Sequence, residues 1–234
     1  MLPVAILAGG LATRLRPLTE TIPKAMVQVN GEPFAFHQLR LLQRHGIDRV
    51  VYCVGYRGEQ VADAVGDGSR FGLQVRYSFD GPVLAGTAGA LKIARPLLGP
   101  DFFVLYGDSF LDCDYLVVER AYRQAGKAAL MAVFRNDGRW DTSNVEFADG
   151  RIIEHSKAHR TERMRHIDYG LGVLSAGVLD ALPTDGPADL AALYERLAAS
   201  GDLAAFEVSE RFYEVGSFGG LVQFEDYLKK AAPQ

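Results

Sequence analysis

Gly9-Gly10 closes a short apolar run of Val4, Ala5, Ile6 and Leu7, and three cations follow it: Arg14, Arg16 and, behind a proline, Lys24. An apolar strand, a glycine turn and fixed positive charge together suit a backbone that must approach a polyphosphate, with N–H groups and cations both aimed at phosphate oxygens. Glycine fits such a turn because a Cβ would hold the backbone off its ligand and restrict φ. Arg14 offers a planar fork to phosphate oxygens and Lys24 a point charge. A glycine pair after a strand is also an ordinary turn. Neither of the two better-known phosphate loops is present: Gly-x-x-x-x-Gly-Lys-Ser/Thr is absent, and Gly9-Gly10-Leu11-Ala12 lacks the spacing of the Gly-x-Gly-x-x-Gly loop.

Acids supply the complementary chemistry. Asp108 follows an apolar run, residues 102–106, through Gly107, at the end of a predicted strand. There it serves either as a cap or turn residue or as a ligand for Mg²⁺, an ion held by one or two carboxylates together with phosphate oxygens and water. Asp112 and Asp114 add charge nearby; capping of the next helix is the stronger reading and a second metal the weaker. Thr87, before another helix, reads as a plain N-cap. His155, His159 and His166 match no common metal-ligand spacing and read as solvated loop residues. Cys53 and Cys113 are too few for a disulfide framework and read as reduced core thiols.

The string Gly9-Gly10-Leu11-Ala12-Thr13-Arg14-Leu15-Arg16-Pro17-Leu18-Thr19, then Pro23-Lys24-Ala25-Met26, resembles the N-terminal signature of the sugar-1-phosphate nucleotidyltransferases. That signature is Gly-Gly-x-Gly-Thr-Arg-Leu-x-Pro-Leu-Thr followed by Pro-Lys-Pro-Met; Ala12 stands where glycine is usual and Ala25 where proline is usual. The resemblance implies that a sugar 1-phosphate attacks the α-phosphorus of a nucleoside triphosphate, with Mg²⁺ as cofactor, and that pyrophosphate leaves. It implies catalytic roles for Arg14 and Lys24, nucleotide contacts from Leu7, Ala8, Gly9, Gly10 and Thr13, and metal and substrate binding by Asp108. The family's second metal carboxylate lies in an Asp-Ile-Gly-Thr segment, matched here by Glu214-Val215-Gly216-Ser217. Gly86, Thr87 and Gly89 match the loop that lines the nucleobase, with an additional Ala85 before it. Lys157 takes, by register, the place of the lysine that neutralises the sugar phosphate. Asp168 and Gly170 fall in the sugar-contacting segment, where Asp168 replaces asparagine. A carboxylate there accepts hydrogen bonds from hydroxyls and repels an anionic sugar. Trp140 either stacks on a sugar face or covers the core.

Chain length and the Gly-Thr-Ala-Gly loop are most similar to the short heptose- or mannose-1-phosphate guanylyltransferases of surface-polysaccharide synthesis, which implies GTP. Uridylyl or cytidylyl transfer stays open, phosphocholine included as acceptor. So does a non-catalytic nucleotide-sugar sensor, against which the retention of Arg14, Lys24 and Asp108 argues.

Distant residues meet only if the frame brings them together. Strand-like runs at 3–7, 49–54, 73–79, 102–106 and 128–134 alternate with helical runs at 34–45, 59–65, 88–97 and 114–125. Such alternation predicts a Rossmann-like, three-layer α/β/α fold with a mostly parallel, mixed central sheet and its ligand site at the carboxyl ends of the strands. Gly9-Gly10 and Gly107-Asp108 both fall at such ends and so face one crevice. Short strands at 144–147, 151–154, 169–174, 205–208 and 212–215, with helices at 178–182, 188–199 and 220–230, predict a small sugar-facing lobe. No linker, repeat or low-complexity tract interrupts the chain. A single domain over 1–234 is expected, with a nucleotide-binding half at about 1–127 and a sugar-binding half at about 128–234.

Composition excludes other partners. At 234 residues and 48% hydrophobic, the chain can bury a full core. A net charge of -4 and a pI near 5.8 provide no basic surface for nucleic acid. No apolar run approaches the roughly 18 residues that cross a bilayer, and Met1-Leu2-Pro3 leads straight into a strand with no room for a signal peptide. A cytoplasmic protein without membrane partners is expected; a homo-oligomer stays open. Nothing after Gln234 supplies the β-helical or acyltransferase region of the family's long members, so no second activity is expected.

Overall fold

The computed structural model describes residues 1–156, 158–183 and 186–231. The chain runs through β1 (Val4–Ala8), a small ribbon of β2 (Gln28–Val29) and β3 (Glu32–Pro33), α1 (Phe34–Arg44), β4 (Arg49–Val54), α2 (Gly58–Val65), β5 (Gln74–Phe79), α3 (Gly86–Ala94) and β6 (Asp101–Tyr106). It continues through β7 (Ser109–Phe110), α4 (Tyr115–Ala125), β8 (Ala129–Arg135), β9 (Val145–Ala148), β10 (Arg151–His155), β11 (His166–Ser175), α5 (Leu190–Ala199), β12 (Leu203–Val208), β13 (Tyr213–Glu214) and α6 (Phe218–Ala231).

The central sheet follows the order β10-β9-β11-β6-β1-β4-β5, with β8 also on β11 and β12 beside β8. Strands β5, β4, β1 and β6 are mutually parallel, whereas β11 runs antiparallel to β6 and β8. β1 lies inside the sheet because both of its faces are apolar: Val4 and Ile6 join the core beneath α1, α2 and α4, and Ala5 joins the core beneath α3 and α5. A run buried on both faces is what an interior parallel strand needs. Helices on both faces complete the three expected layers.

A third, smaller core positions the site. It joins Leu15, Phe34, Leu41, Phe110, Val215, Leu221 and Phe224. Leu15 adjoins Arg14, Phe110 lies two residues beyond Asp108, and Val215 adjoins Glu214, so one apolar cluster clamps three separate functional segments. Phe224 of α6 is its keystone, with ring centroids 4.7 Å from Phe110 and 5.5 Å from Phe34.

Several expectations need correction. The helix expected at 178–182 is a 3-10 helix, Ala176–Ala181, rather than an α-helix, and Leu182 is extended beyond it. The strand expected at 212–215 shortens to Tyr213–Glu214 because its partner is only Ser109–Phe110. β11 begins earlier than expected, at His166, and slips register between Asp168 and Gly172. Gly170 has φ +90° at that slip, where a side chain would be strained. His155 and His166 are buried strand residues, not solvated ones; His166 lies 3.0 Å from Glu207. Among the described residues no His, Cys, Asp and Glu cluster is suited to hold a metal by itself. Both cysteines are free and buried, and burial pushes each thiol pKa up to about 12. Among the described residues no helix is long and apolar enough to cross a membrane.

Candidate active site

β1 and β6 are neighbours, with Leu7 opposite Tyr106, so their following turns emerge side by side. Gly107 N donates to Leu7 O at 2.9 Å, and a Cβ on Gly107 would stand 2.8 Å from that oxygen. Only glycine lets the two turns come this close. Leu7 and Ala8 finish β1, and Gly9 O accepts from Tyr56 N at 3.2 Å. Gly10 faces open space. Ala12, where the family signature has glycine, has φ +50° in the left-handed region. Thr19, buried, ties the loop shut by donating to Ala12 O at 2.7 Å. Thr13 and Arg14 open the one-turn helix Thr13–Leu15, both exposed.

The cations and acids meet here. Lys24 Nζ lies 2.7 Å from Asp108 Oδ2, both side chains about a fifth exposed, at 22% and 23%. Asp108 O accepts from Val215 N at 2.9 Å, which brings Glu214 alongside. A Cβ on Gly216 would contact Glu214 Oε2 and stand 3.0 Å from Arg14 Nη2 and 3.1 Å from Asp108 Oδ2. Arg14, Asp108 and Glu214 thus surround one point. Glu214 is held by its own loop, accepting from Gly216 N at 2.6 Å and Ser217 Oγ at 2.9 Å.

A cavity of about 370 Å³ extends from this point. Arg14, Asp108 and Glu214 line one end, and Asp141, Asn144, Arg160, Asp168 and Gly170 line the rest. Asp168 Oδ1 accepts from Gly170 N at 3.0 Å, while Asp168 N donates to Asn144 Oδ1 at 2.9 Å. Lys157 lies outside the described residues. Trp140 is exposed rather than covering the core, and the Arg211 guanidinium sits over its ring, 3.5 Å from the centroid.

Other candidates are differently employed. Thr87 does not cap its own helix; its hydroxyl donates to Asp189 at 3.0 Å and accepts from Leu190 N at 2.7 Å, tying α3 to α5. Gly86, at φ +75°, and Gly89 pack against Ala188. Asp114 caps α4 through Val117 N at 3.1 Å, as expected. Asp112 instead bonds His45 at 2.8 Å and Tyr227 at 3.0 Å.

One residue that sequence reasoning missed is Gln38 on α1. Fully buried, its Nε2 donates to Tyr106 O at 3.1 Å and Ser109 O at 2.8 Å, bracketing the Gly107-Asp108 turn. A polar residue on the buried face of an amphipathic helix was its only signal. Gln38→Leu leaves two carbonyls without donors, which costs about 1–3 kcal/mol of stability. Urea unfolding checks this; an unchanged midpoint would show that the turn does not depend on Gln38.

Residues 4–143 match the family described as nucleotidyl transferase. A UTP–glucose-1-phosphate uridylyltransferase of Synechocystis is 30% identical over 213 residues, covering 84% of this chain and 55% of that protein. The catalytic subunit beta of a mannose-1-phosphate guanylyltransferase of Xenopus tropicalis is 28% identical over 217 residues, covering 90% of this chain and 60% of that protein. The chain therefore spans a little over half the length of these relatives. The structure of HddC from Yersinia pseudotuberculosis, complexed with GMP-PN, superimposes with a TM-score of 0.80 at 22% identity, over 97% of this chain and 100% of that one. With its family model matched over more than half its length, the chain belongs to the nucleotidyl transferase family.

Proposed function

We propose that the crevice joins a nucleoside triphosphate to a sugar 1-phosphate, releasing pyrophosphate. The observation that carries this reading is the 2.7 Å pair of Lys24 and Asp108, with Arg14 and Glu214 around the same point, where β1 and β6 end. An oxygen of the sugar phosphate forms a bond to the α-phosphorus while the bond from that phosphorus to the bridging oxygen breaks. The attacking phosphate is already ionised near neutral pH and needs no general base. Catalysis then consists of in-line positioning and charge neutralisation. Arg14 steadies the β- and γ-phosphates and Lys24 the phosphates at the reacting centre. Leu7, Ala8, Gly9, Gly10 and Thr13 form the loop wall along the nucleotide; the segment of Gly86, Thr87 and Gly89, itself packed on Ala188 and tied to α5, stands on the base side by the resemblance.

Two hard carboxylates on one point suit Mg²⁺, which takes few protein ligands and completes its shell with phosphate and water oxygens. Asp108 and Glu214 would hold it, and its charge would be spread over the phosphate oxygens. The cavity beyond receives the sugar: Asp168, Asp141 and Asn144 can accept hydrogen bonds from hydroxyls. Lys157 on the sugar phosphate completes the reading drawn from the resemblance.

GTP with mannose or heptose 1-phosphate, for surface-polysaccharide precursors in the cytoplasm, is the substrate pair we favour. It is supported by the Gly-Thr-Ala-Gly loop, by a guanylyltransferase among the relatives and by a GMP-PN complex among the structural neighbours. The Synechocystis relative names UTP and glucose 1-phosphate as the alternative. A pyrophosphate-release screen of four triphosphates against a panel of sugar 1-phosphates tests both levels. Mg²⁺-dependent release with GTP and mannose or heptose 1-phosphate is expected. No release with any pair would leave a nucleotide-sugar sensor in place of an enzyme.

A further inference from the structure

Trp140, the one tryptophan of the chain, lies in the loop 136–144 between β8 and β9. That loop is stitched internally around Asn136, which is fully buried. Asn136 Nδ2 donates to Asp141 O and, at 3.3 Å, to Ser143 Oγ, while Asn136 Oδ1 accepts from Trp140 N at 3.2 Å. The base of the loop is tied down by Asn136 N and Asp137 N, which both donate to Arg165 O, at 3.1 and 2.9 Å. So braced, the loop presents Asp141, Thr142 and Asn144 to the cavity beyond the carboxylates. Its tip is held differently. Arg211, three residues before Glu214, sets its guanidinium over two rings, 3.5 Å from the centroid of Trp140 and 4.6 Å from that of Tyr213. Its Nη2 donates to Gln223 of α6, and its Nε is buried without a hydrogen-bond partner. Stacking is therefore a main attachment of this cation, and a planar guanidinium lies flat on aromatic rings with an attraction that grows on desolvation. Tyr213 is stacked in turn on Tyr227 of α6 at 4.3 Å.

We propose that Arg211 and Trp140 form a clasp that positions the sugar 1-phosphate, by fixing the loop 136–144 against the strand that carries Glu214. The inference rests on reading the crevice as the site of a triphosphate and a sugar 1-phosphate. Both are positioning residues: they act through Asp141, Thr142 and Asn144 on one side of the stack and through Tyr213 and Glu214 on the other. Those two segments belong to different parts of the chain, and the guanidinium bridges them. Alignment matters because a misplacement of about 1 Å between reacting groups is enough to cost on the order of 10²-fold in rate. Arg14 and Lys24 belong to neither segment, so loosening the clasp disturbs the sugar phosphate and spares the grip on the triphosphate.

The test has a kinetic arm and a spectroscopic one. Pyrophosphate release is followed with Mg²⁺–GTP and mannose 1-phosphate, varying one substrate at a time. Arg211→Ala and Trp140→Ala should each raise the KM for mannose 1-phosphate by on the order of tenfold, the size that a desolvated cation–π contact supplies, with the KM for GTP changed less than about twofold. The double variant should be no worse than either single one, because both changes open the same contact. Partial unfolding lowers the amount of active enzyme and not KM, so it cannot imitate this split. Trp140→Phe, which keeps a ring, should lose less than Trp140→Ala, and Arg211→Lys, which keeps the charge without the plane, should recover only part of the loss. Trp140 is also the chain's sole indole fluorophore. Acrylamide should quench it more readily in Arg211→Ala and in Arg211→Lys than in the wild type. Equal rises in KM for both substrates, additive losses in the double variant, or quenching unchanged without Arg211 would overturn the clasp alone. So would a sugar-phosphate defect in Trp140→Ala that Arg211→Ala lacks, since it would place the indole on the sugar itself. No release by the wild type with any pair of the screen would overturn the reading of the crevice and the clasp together.

Discussion

Asp108→Asn is expected to lower Mg²⁺-dependent pyrophosphate release by on the order of 10²–10³-fold, the size of loss seen when one preorganised electrostatic contact is removed from a reacting centre. The fold should be spared. Asparagine has almost the same shape, and the contacts that hold the turn go through its backbone: Val215 N bonds Asp108 O at 2.9 Å, and Gln38 brackets the flanking carbonyls. What disappears is one charge and one of the two carboxylates around Gly216. Steady-state rates with circular dichroism as a control check this. Wild-type turnover in a folded Asp108→Asn protein would remove Asp108 from the chemistry.

Lys24→Ala should cost as much, again on the order of 10²–10³-fold, for a complementary reason. Lys24 opens a one-turn helix whose neighbours Ala25 and Val27 are buried, so the backbone stays put when the side chain is cut back. The loss leaves Asp108 without its partner at 2.7 Å and the phosphates without a point charge. The expected signature is a fall in kcat together with a rise in the KM for triphosphate. Lys24→Arg should rescue little, because a planar, delocalised fork does not reproduce a compact ammonium. Full activity in Lys24→Ala would place the catalytic cation elsewhere.

Much of this site was legible in the sequence because its parts are local. An interior strand buried on both faces leaves an unmistakable apolar run, and Gly9-Gly10 and Gly107-Asp108 mark the ends of two such strands. Parallel neighbours end on the same side, so the meeting of the Gly9-Gly10 and Gly107-Asp108 turns followed from topology, while Lys24 was placed with them by the resemblance. Ala12 shows the same logic: the family's glycine position is a left-handed one, and alanine occupies it at a modest steric cost.

What escaped was non-local. β7 has only two residues, too short for any periodicity, so its pairing with β13 was not foreseen; the aromatic packing of α6 fixes it. Asp80 was not singled out in the sequence, and only the folded chain places its carboxylate against Gly9 and Gly55. The histidines misled because His155 and His166 lie in polar-looking stretches, yet the sheet buries them. Trp140 gave no sign of Arg211, its stacking partner far along the sequence.

The central claim is that Asp108 and Glu214 hold a divalent ion against a triphosphate that Lys24 and Arg14 also grip. Anomalous scattering from crystals grown with Mn²⁺ in place of Mg²⁺ and a non-hydrolysable triphosphate reads the ion's position directly. A peak bridging the Asp108 and Glu214 carboxylates and a phosphate oxygen is expected; a bound triphosphate whose ion touches neither carboxylate would contradict it.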